Sequence, residues 1–172
     1  VIDISIDKLA FGGDGIGRHG NFPIFVPDAV PGDAVKVKIK TAFKDRCNGE
    51  VVEFLAKSSN RIKPACPAFG ICGGCQIQSL VYTAQIKAKE TMVADILKKI
   101  GGVDTRVRSV IQSPEPYGYR IRTRLQVAVI NQELKFGYYE KRSKKLVPLQ
   151  HCPLLVPGLN AVLKQLAQIL PG

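Results

Sequence analysis

Val35-Lys36-Val37-Lys38-Ile39-Lys40 alternates apolar and basic residues without a break. Because successive side chains of a β-strand point to opposite faces, this stretch predicts a strand with one buried and one charged face. Ile2-Asp3-Ile4-Ser5-Ile6 alternates in the same way, and apolar strand-like runs occur at residues 22–26 and 49–55. Short strands at this spacing predict that residues 1–58 form a small β-barrel.

A glycine-rich stretch, Phe11-Gly-Gly-Asp-Gly-Ile-Gly-Arg18, follows the first alternating run. Such a stretch invites comparison with nucleotide-binding loops. Its spacing does not match the dinucleotide-binding fingerprint, however, and a strand rather than a helix follows it. We interpret its glycines as turn and bulge residues of the barrel.

Residues 59–172 predict an α+β region. Residues 59–78 lack periodicity and contain several Pro and Gly residues, which indicates a loop. Apolar residues at helical spacing then predict a helix over residues 81–100, which Gly101-Gly102 ends.

Beyond that helix the pattern predicts strands from about Val107, with a hairpin turn at Asn131-Gln132. A second helical pattern begins after Pro157 and extends to Leu170. The predicted fold class is therefore mixed β and α+β: an OB-like barrel, a loop, a helix and an antiparallel-strand segment.

The chain carries 25 Lys and Arg against 14 Asp and Glu, a formal net charge of +11. Residues 1–58 contain eight of each sign, so all of the excess positive charge lies in residues 59–172. This asymmetry predicts a polyanionic partner for the second part. There is no apolar run of membrane-spanning length and no secretory signal pattern. We therefore expect a cytoplasmic protein with neither disulfides nor a membrane partner.

Three of the five cysteines crowd into one loop, Cys66-Pro-Ala-Phe-Gly-Ile-Cys72-Gly-Gly-Cys75. Gly73-Gly74 lets the backbone wrap a common centre and bring its N–H groups near sulfur. The segment His151-Cys152-Pro153 offers a fourth ligand from a distant part of the chain. Thiolates are soft ligands that suit zinc or an iron–sulfur cluster. We predict a metal site with these ligands: Cys66, Cys72, Cys75 and Cys152.

Spacing alone leaves the metal open. Structural zinc is common, and His151 is an alternative fourth ligand for it. The five-residue gap between Cys66 and Cys72 is long for a zinc knuckle and acceptable for a cluster. Four thiolates leave no open coordination position, so we expect a structural or electronic role. Cys47 stands alone in a strand context, and we interpret it as structural.

Two basic rows are candidates for binding nucleic acid. Arg120-Ile-Arg122-Thr-Arg124-Leu-Gln126-Val127 alternates strictly, which on a strand puts the arginines on one face. Guanidinium groups suit bidentate phosphate contacts, and tyrosines stack on bases. The second row is Lys36, Lys38 and Lys40 of the barrel. The alternative interpretation of either row is a solvated surface, since lysines also protect edge strands. The predicted RNA-binding residues are Arg120, Arg122, Arg124, Tyr119, Lys36, Lys38, Lys40, Lys44 and Arg46.

Several of these motifs resemble known families. Leu9-Ala-Phe-Gly-Gly-Asp-Gly-Ile-Gly-Arg18, with Phe25-Val-Pro27 and Val30-Pro-Gly-Asp33, resembles a TRAM domain, a small RNA-binding barrel of the OB type. The stretch from Cys66 to Gln76 resembles the cluster loop of RumA/TrmA-type RNA uracil-C5 methyltransferases. The residues behind it that resemble that family's following helix are Gln78, Tyr82, Gln85 and Lys89.

Two further motifs carry the same resemblance. Tyr119-Arg-Ile-Arg122 resembles the family's Tyr-Arg-Asn-Lys/Arg signature, although Ile121 replaces the usual Asn. His151-Cys152-Pro153 stands where the family has its fourth cluster ligand. The resemblance thus covers nearly the whole chain.

The resemblance implies an enzyme that methylates C5 of a uridine with S-adenosylmethionine, with ribosomal RNA favoured over transfer RNA. In such enzymes a cysteine thiolate adds to C6 of the base, and a general base later removes the C5 proton. It also implies that the metal centre is a 4Fe-4S cluster. The TRAM region, residues 1–58, and the cluster region, residues 59–172, would hold the RNA.

The family's methyltransferase domain is C-terminal, and the sequence contains no glycine-rich cofactor loop followed by a helix and no catalytic cysteine motif. We therefore expect an N-terminal part that has no catalytic or cofactor-binding residues, with S-adenosylmethionine bound only by the full-length parent. The helix over residues 81–100 would contact the missing domain or allow self-association. Two other classes stay open: a stand-alone RNA-binding module with a structural four-cysteine metal site, and an iron–sulfur electron-transfer or redox-sensing protein.

Overall fold

The structure, a computed structural model, describes residues 1–169 and consists of two compact units. The barrel unit contains residues 1–63 and 77–112. The cysteine unit contains residues 64–76 and the described residues from Ser113 onward. The domain boundary after residue 58 stays a prediction.

The first five strands close into a barrel in the order β1-β2-β3-β5-β4. All neighbouring pairs are antiparallel except β3 and β5, which run parallel. The predicted barrel is therefore confirmed. The strand bounds are β1 Ile2–Leu9, β2 Gly15–His19, β3 Phe22–Val26, β4 Ala34–Ala42 and β5 Cys47–Ala56.

Alternation along the strands produces the barrel core. Val35 and Val37 of β4 are fully buried, whereas Lys38, the next residue, is exposed. The partners of these valines across the core are the isoleucines of β1 and the inward residues of β3, and burial of such side chains drives closure. The buried barrel core consists of Ile4, Ile6, Ile24, Val26, Ala29, Val35 and Val37.

The glycine-rich stretch forms the turn between β1 and β2, as predicted. Gly12 and Gly13 have φ values of 101° and 90°, which only glycine adopts without strain. The pairing of β1 with β2 shifts register between Ile6 and Lys8, which is the irregularity expected of a bulge. The stretch therefore serves the barrel and leads into a strand.

Helix α1, Tyr82–Lys99, packs on the barrel within the same unit. Leu9, Val30 and Leu80 form a small second core against its inner face, and Lys8 forms a salt bridge with Asp95 on the helix. The predicted helix is confirmed to within a residue or two at each end. Its exposed apolar residues include Val93 and Ile100, so the predicted apolar surface is present; self-association stays a prediction.

The cysteine unit contains a three-stranded antiparallel sheet in the order β6-β7-β8 and one helix. The turn between β6 and β7 is the predicted hairpin, because Asn131 and Gln132 have φ values of 53° and 65°, as a two-residue I′-type turn requires. The bounds are β6 Gln126–Ile130, β7 Glu133–Tyr139, β8 Leu146–Pro148 and α2 Pro157–Ile169. Leu170, the predicted last residue of α2, lies outside the described residues.

The strands predicted from Val107 to Leu125 are wrong, because the first strand of this region begins at Gln126. Pro114 and Pro116 interrupt the segment, and proline donates no hydrogen bond to a neighbouring strand. Among the described residues, only an isolated parallel bridge of Arg120 with Leu155 resembles strand pairing in this segment.

The described residues therefore form a mixed β and α+β fold with one closed barrel, one small sheet and two helices, as the sequence predicted. In the part of the chain that the structure describes, no helix is long and apolar enough to cross a membrane.

Candidate metal centre and RNA-binding surface

The cysteine loop is attached to the end of β7 by backbone hydrogen bonds. Gly73 N–H donates to the carbonyl of Tyr139 at 2.9 Å, and Lys141 N–H donates to the carbonyl of Ile71 at 2.9 Å. A Cβ on residue 73 would lie 3.1 Å from the Tyr139 carbonyl oxygen, so glycine allows this close approach. The loop is therefore held at the turn that follows β7.

Cys72 lies at the centre of the cysteine arrangement. It is 7% exposed, and its Sγ accepts a hydrogen bond from Gly74 N–H at 3.4 Å. Burial raises the pKa of the Cys72 thiol, and the negative charges of Cys66 and Cys152 raise it further.

Tyr117 connects the remaining cysteine to this group. Burial raises the pKa of its phenol, and the charges of Cys75 and Cys66 add to that effect. Tyr117 and Cys75 also pack against the buried cluster that contains Cys152 and Leu155. The four predicted ligands therefore gather in one region of the cysteine unit.

Cys152 is positioned by Asn160, a residue that the sequence analysis missed. Cys152 N–H donates to Asn160 Oδ1 at 2.9 Å, and Asn160 Nδ2 donates back to the Cys152 carbonyl at 3.1 Å. Asn160 Nδ2 also donates to the Leu155 carbonyl at 3.1 Å. In the sequence, the one indication of this contact is a polar Asn in the first turn of a helix that begins five residues after Cys152. His151, next to Cys152, is exposed.

No group of three or more His, Cys, Asp or Glu side chains within residues 1–169 is arranged to hold a metal ion. Cys47 belongs to the barrel unit, where it packs, half-buried, against the barrel core.

The three arginines line one cavity of about 460 Å³, together with Thr123 and Tyr138. The three arginines lie together, as the sequence predicted. The strand predicted to carry them is absent, since residues 121–125 have no regular strand structure. The wall is fixed by a 2.6 Å hydrogen bond between the Thr123 and Tyr138 hydroxyls. Among the described residues, no salt bridge joins an acidic side chain to Arg120, Arg122 or Arg124.

Residues on either side of Arg120 differ in exposure and character. Tyr119 is 50% exposed and presents an aromatic surface to solvent. Ile121, which replaces the family's Asn, is 80% exposed and offers no polar side-chain contact. The arginines therefore carry the polar chemistry of this segment.

The basic residues of the barrel are mostly paired with acids. Lys36 Nζ lies 3.0 Å from Glu53, and Lys40 Nζ lies 2.6 Å from Glu50 on the neighbouring strand. Arg46 stacks over the Phe43 ring at 4.5 Å and lies 3.5 Å from Asp45. Two more predicted residues are exposed and enter no salt bridge among the described residues: Lys38 and Lys44.

The family model of the TRAM domain matches residues 1–52, which contain the first four barrel strands and the start of β5. An uncharacterized RNA methyltransferase of Thermosynechococcus vestitus is 35% identical over 98% of this chain and 38% of that protein. The chain is a relative of RNA methyltransferases and carries a TRAM domain. The family resemblance inferred from the sequence is thereby confirmed.

Another relative has a stated specificity. The 23S rRNA (uracil(1939)-C(5))-methyltransferase RlmD of Photorhabdus laumondii is 33% identical over 99% of this chain and 39% of that protein. The chain thus spans less than two-fifths of the length of these two curated relatives.

The fold also matches a solved structure. The tRNA (uracil-54, C5)-methyltransferase of Pyrococcus abyssi, crystallised with S-adenosyl-L-homocysteine, superposes with a TM-score of 0.60 at 23% identity. The match covers 96% of this chain and 36% of that one. At this identity the match establishes the fold that the TRAM domain and the cysteine unit share with that enzyme.

Proposed function

We propose that this chain is the RNA-binding part of an S-adenosylmethionine-dependent RNA uracil-C5 methyltransferase, with ribosomal RNA as its substrate. The observation that carries this proposal is the cavity lined by Arg120, Arg122 and Arg124. Three guanidinium groups on one concave surface, with no acidic partner among the described residues, suit the phosphates of a polyanion. The relationship to RNA methyltransferases supports RNA as that polyanion.

Ribosomal RNA is favoured over transfer RNA by the relative with the stated specificity. The Photorhabdus laumondii enzyme is named for 23S rRNA and is 33% identical to this chain. The Pyrococcus abyssi enzyme is named for tRNA, but its 23% identity supports the fold alone. The chemistry in the whole protein would be methyl transfer from S-adenosylmethionine to C5 of the uracil. That these residues alone neither bind the cofactor nor methylate RNA stays a prediction.

The arginine cavity is a stronger candidate for RNA contact than the barrel lysines. Lys36 and Lys40 each lie beside a glutamate, Glu53 and Glu50, so the local net charge that they offer a phosphate is reduced. Within residues 1–169 the three arginines have no acidic partner that would compete with a phosphate. We therefore assign the main phosphate contacts to the cavity and secondary contacts to Lys38 and Lys44.

We also propose that Cys66, Cys72, Cys75 and Cys152 hold a 4Fe-4S cluster. The donor set fits the group: four thiols gather from two segments, and Cys72 Sγ accepts an N–H hydrogen bond of the kind that tunes cluster sulfurs. When bound, the cluster would supply a rigid crosslink between the cysteine loop and the Cys152 segment.

A zinc site with His151 is less well supported than a cluster. His151 is exposed, whereas Cys152 is buried and fixed by Asn160. The five-residue gap between Cys66 and Cys72 is also long for a zinc knuckle and acceptable for a cluster. Both arguments favour four cysteines around a larger centre.

Replacing the three arginines tests the RNA-binding proposal. The variant Arg120→Gln/Arg122→Gln/Arg124→Gln should bind single-stranded RNA at least tenfold more weakly than the parent. Its plot of log affinity against log salt should flatten by about 2, because each neutralised phosphate of a single strand contributes about 0.7 to the slope. Fluorescence anisotropy over a salt series measures both quantities.

The matched control removes the same charge from the paired lysines of the barrel and from a helix lysine. Lys36→Gln/Lys40→Gln/Lys98→Gln removes three charges that all have acidic partners, so affinity and salt slope should change little. Equal binding by the parent and the arginine variant, with the same slope, would show that the cavity is merely solvated.

A further inference from the structure

The turn between β7 and β8 is the most basic short segment of the cysteine unit, and no predicted site includes it. Its sequence from residue 141 to residue 145 is Lys-Arg-Ser-Lys-Lys, and Lys144 and Lys145 are exposed. Glu140 is the only acid from Gln126 to Lys145 apart from Glu133, which forms a salt bridge with Lys135. The turn therefore presents concentrated positive charge.

This turn lines a cavity of about 400 Å³ together with Gly73 and Gly74 of the cysteine loop. The turn contributes two cations, Lys141 and Arg142, and one acid, Glu140. Tyr138 lines this cavity and also the arginine cavity, so the two cavities share a wall.

We propose that the β7–β8 turn is a second RNA-binding subsite, which takes the nucleotide next to the one in the arginine cavity on a single RNA strand. This inference rests on the proposed function, because it assigns a further part of the same ligand. Tyr139, 43% exposed at the cavity, stacks on the base, and the turn's cationic side chains contact the phosphates.

The backbone holds this subsite in one conformation. Lys141 N–H donates to the Ile71 carbonyl, and Glu140 N–H donates to the Lys145 carbonyl at 2.8 Å, which closes the turn. Arg142 has a φ of 60°, as expected in a tight turn rather than an extended loop. The turn is therefore preorganised, so binding RNA costs little ordering of the backbone.

The geometry suits a single strand better than a duplex. Two adjoining concave cavities with tyrosines in their walls receive bases that are unstacked and turned outward. A duplex hides those base faces, and its rigid backbone contacts protruding surfaces rather than cavities. Unpaired RNA, such as a loop, is therefore the expected ligand class.

The test compares three proteins on one labelled uridine-rich RNA of about 12 nucleotides, a length within the usual range of single-strand binding sites, by fluorescence anisotropy over a salt series. Lys141→Gln/Lys144→Gln should weaken binding about tenfold and lower the salt slope by about 1.4, at about 0.7 for each neutralised phosphate. The control Lys98→Gln/Lys99→Gln removes two charges from the end of α1 and should bind like the parent. Thermal unfolding of each variant shows whether it is folded like the parent.

A second measurement, crosslinking, tests the contact with the base without changing the charge of the protein. A 4-thiouridine in the RNA should crosslink to the peptide that contains Tyr139, and Tyr139→Leu should abolish that crosslink. Parent-like affinity of Lys141→Gln/Lys144→Gln together with weak binding by the arginine variant would overturn this subsite and leave the proposed function standing. Equal affinity of all variants would overturn both. Tighter binding of the matched duplex than of the single strand would overturn the ligand class.

Discussion

Asp33 is the most constrained side chain of the barrel unit. Its carboxylate is fully buried and accepts hydrogen bonds from Val30 N–H at 2.8 Å and Ser58 N–H at 2.9 Å. Arg61 donates through Nε at 3.1 Å and through a second guanidinium nitrogen, and also stacks over Phe54. One carboxylate thus ties the turn before β4 to the segment after β5.

Replacing Asp33 with Asn should destabilise the protein by about 3 kcal/mol, because one partner of a largely buried ion pair is removed. The Asn side chain also has only one acceptor oxygen, so its NH₂ group would face a backbone N–H group that needs an acceptor. Chemical denaturation measures the free energy of unfolding. The exposed Asp45→Asn is the matched control and should change it by less than about 0.5 kcal/mol.

The same residue predicts a pH dependence. Burial acts to raise the pKa of Asp33, but the hydrogen bonds from Arg61, Ser58 and Val30 outweigh it and hold that pKa below its ordinary value. A lowered folded-state pKa means that the stabilisation is complete above about pH 4, the unfolded value, and is lost as the pH falls through the folded value. The stability difference between the parent and Asp33→Asn should therefore shrink below about pH 4. A difference that stays constant down to about pH 2, well below the unfolded pKa, would contradict this account.

At the scale of elements, the contact of β7 with β8 depends on Gly137. A Cβ there would lie 1.9 Å from the carbonyl oxygen of Val147, so Gly137→Ala must push β8 away. We expect a decrease of about 1–3 kcal/mol in the free energy of unfolding, typical of overpacking at a tight contact. Thermal or chemical denaturation checks the value.

Gly158→Ala is the matched control in the same unit. A Cβ at Gly158 meets nothing within 4 Å, and the residue lies in α2, where alanine is the better helix former. Its stability should be equal to or slightly above that of the parent. If both alanine variants unfold alike, the close approach at Gly137 does not limit the strand pairing.

The elements that the sequence predicted well are those whose signals are local. Alternation at Ile2–Ile6 and Val35–Lys40 specifies which face is buried, and the pair Asn131-Gln132 specifies a hairpin turn. The segment from Val107 to Leu125 failed for the opposite reason. Only its last part, from Arg120, alternates, and a strand also needs a partner; within the described residues of this segment only Arg120 pairs with one.

At the scale of the whole molecule, the sequence predicted which residues could form the candidate sites but not the contacts around them. The cysteine spacing pointed to four thiols as metal ligands, and that assignment stays a prediction. Asn160 and the hydrogen bond of Thr123 with Tyr138 depend on contacts between segments that are distant in the sequence. The pairing of Lys36 with Glu53 was equally invisible without strand register. Basic residues were therefore easy to find, but their acidic partners were not.

The cysteine centre is tested most directly by measuring iron and acid-labile sulfide in anaerobically purified protein, with the visible absorption spectrum recorded on the same sample. We predict about four of each per chain. Cys75→Ser should lose both, while Cys47→Ser, which changes a half-buried cysteine of the barrel unit, should keep both. Stoichiometric zinc without visible absorption, or a Cys75→Ser variant that keeps the parent's iron and sulfide, would contradict the cluster assignment.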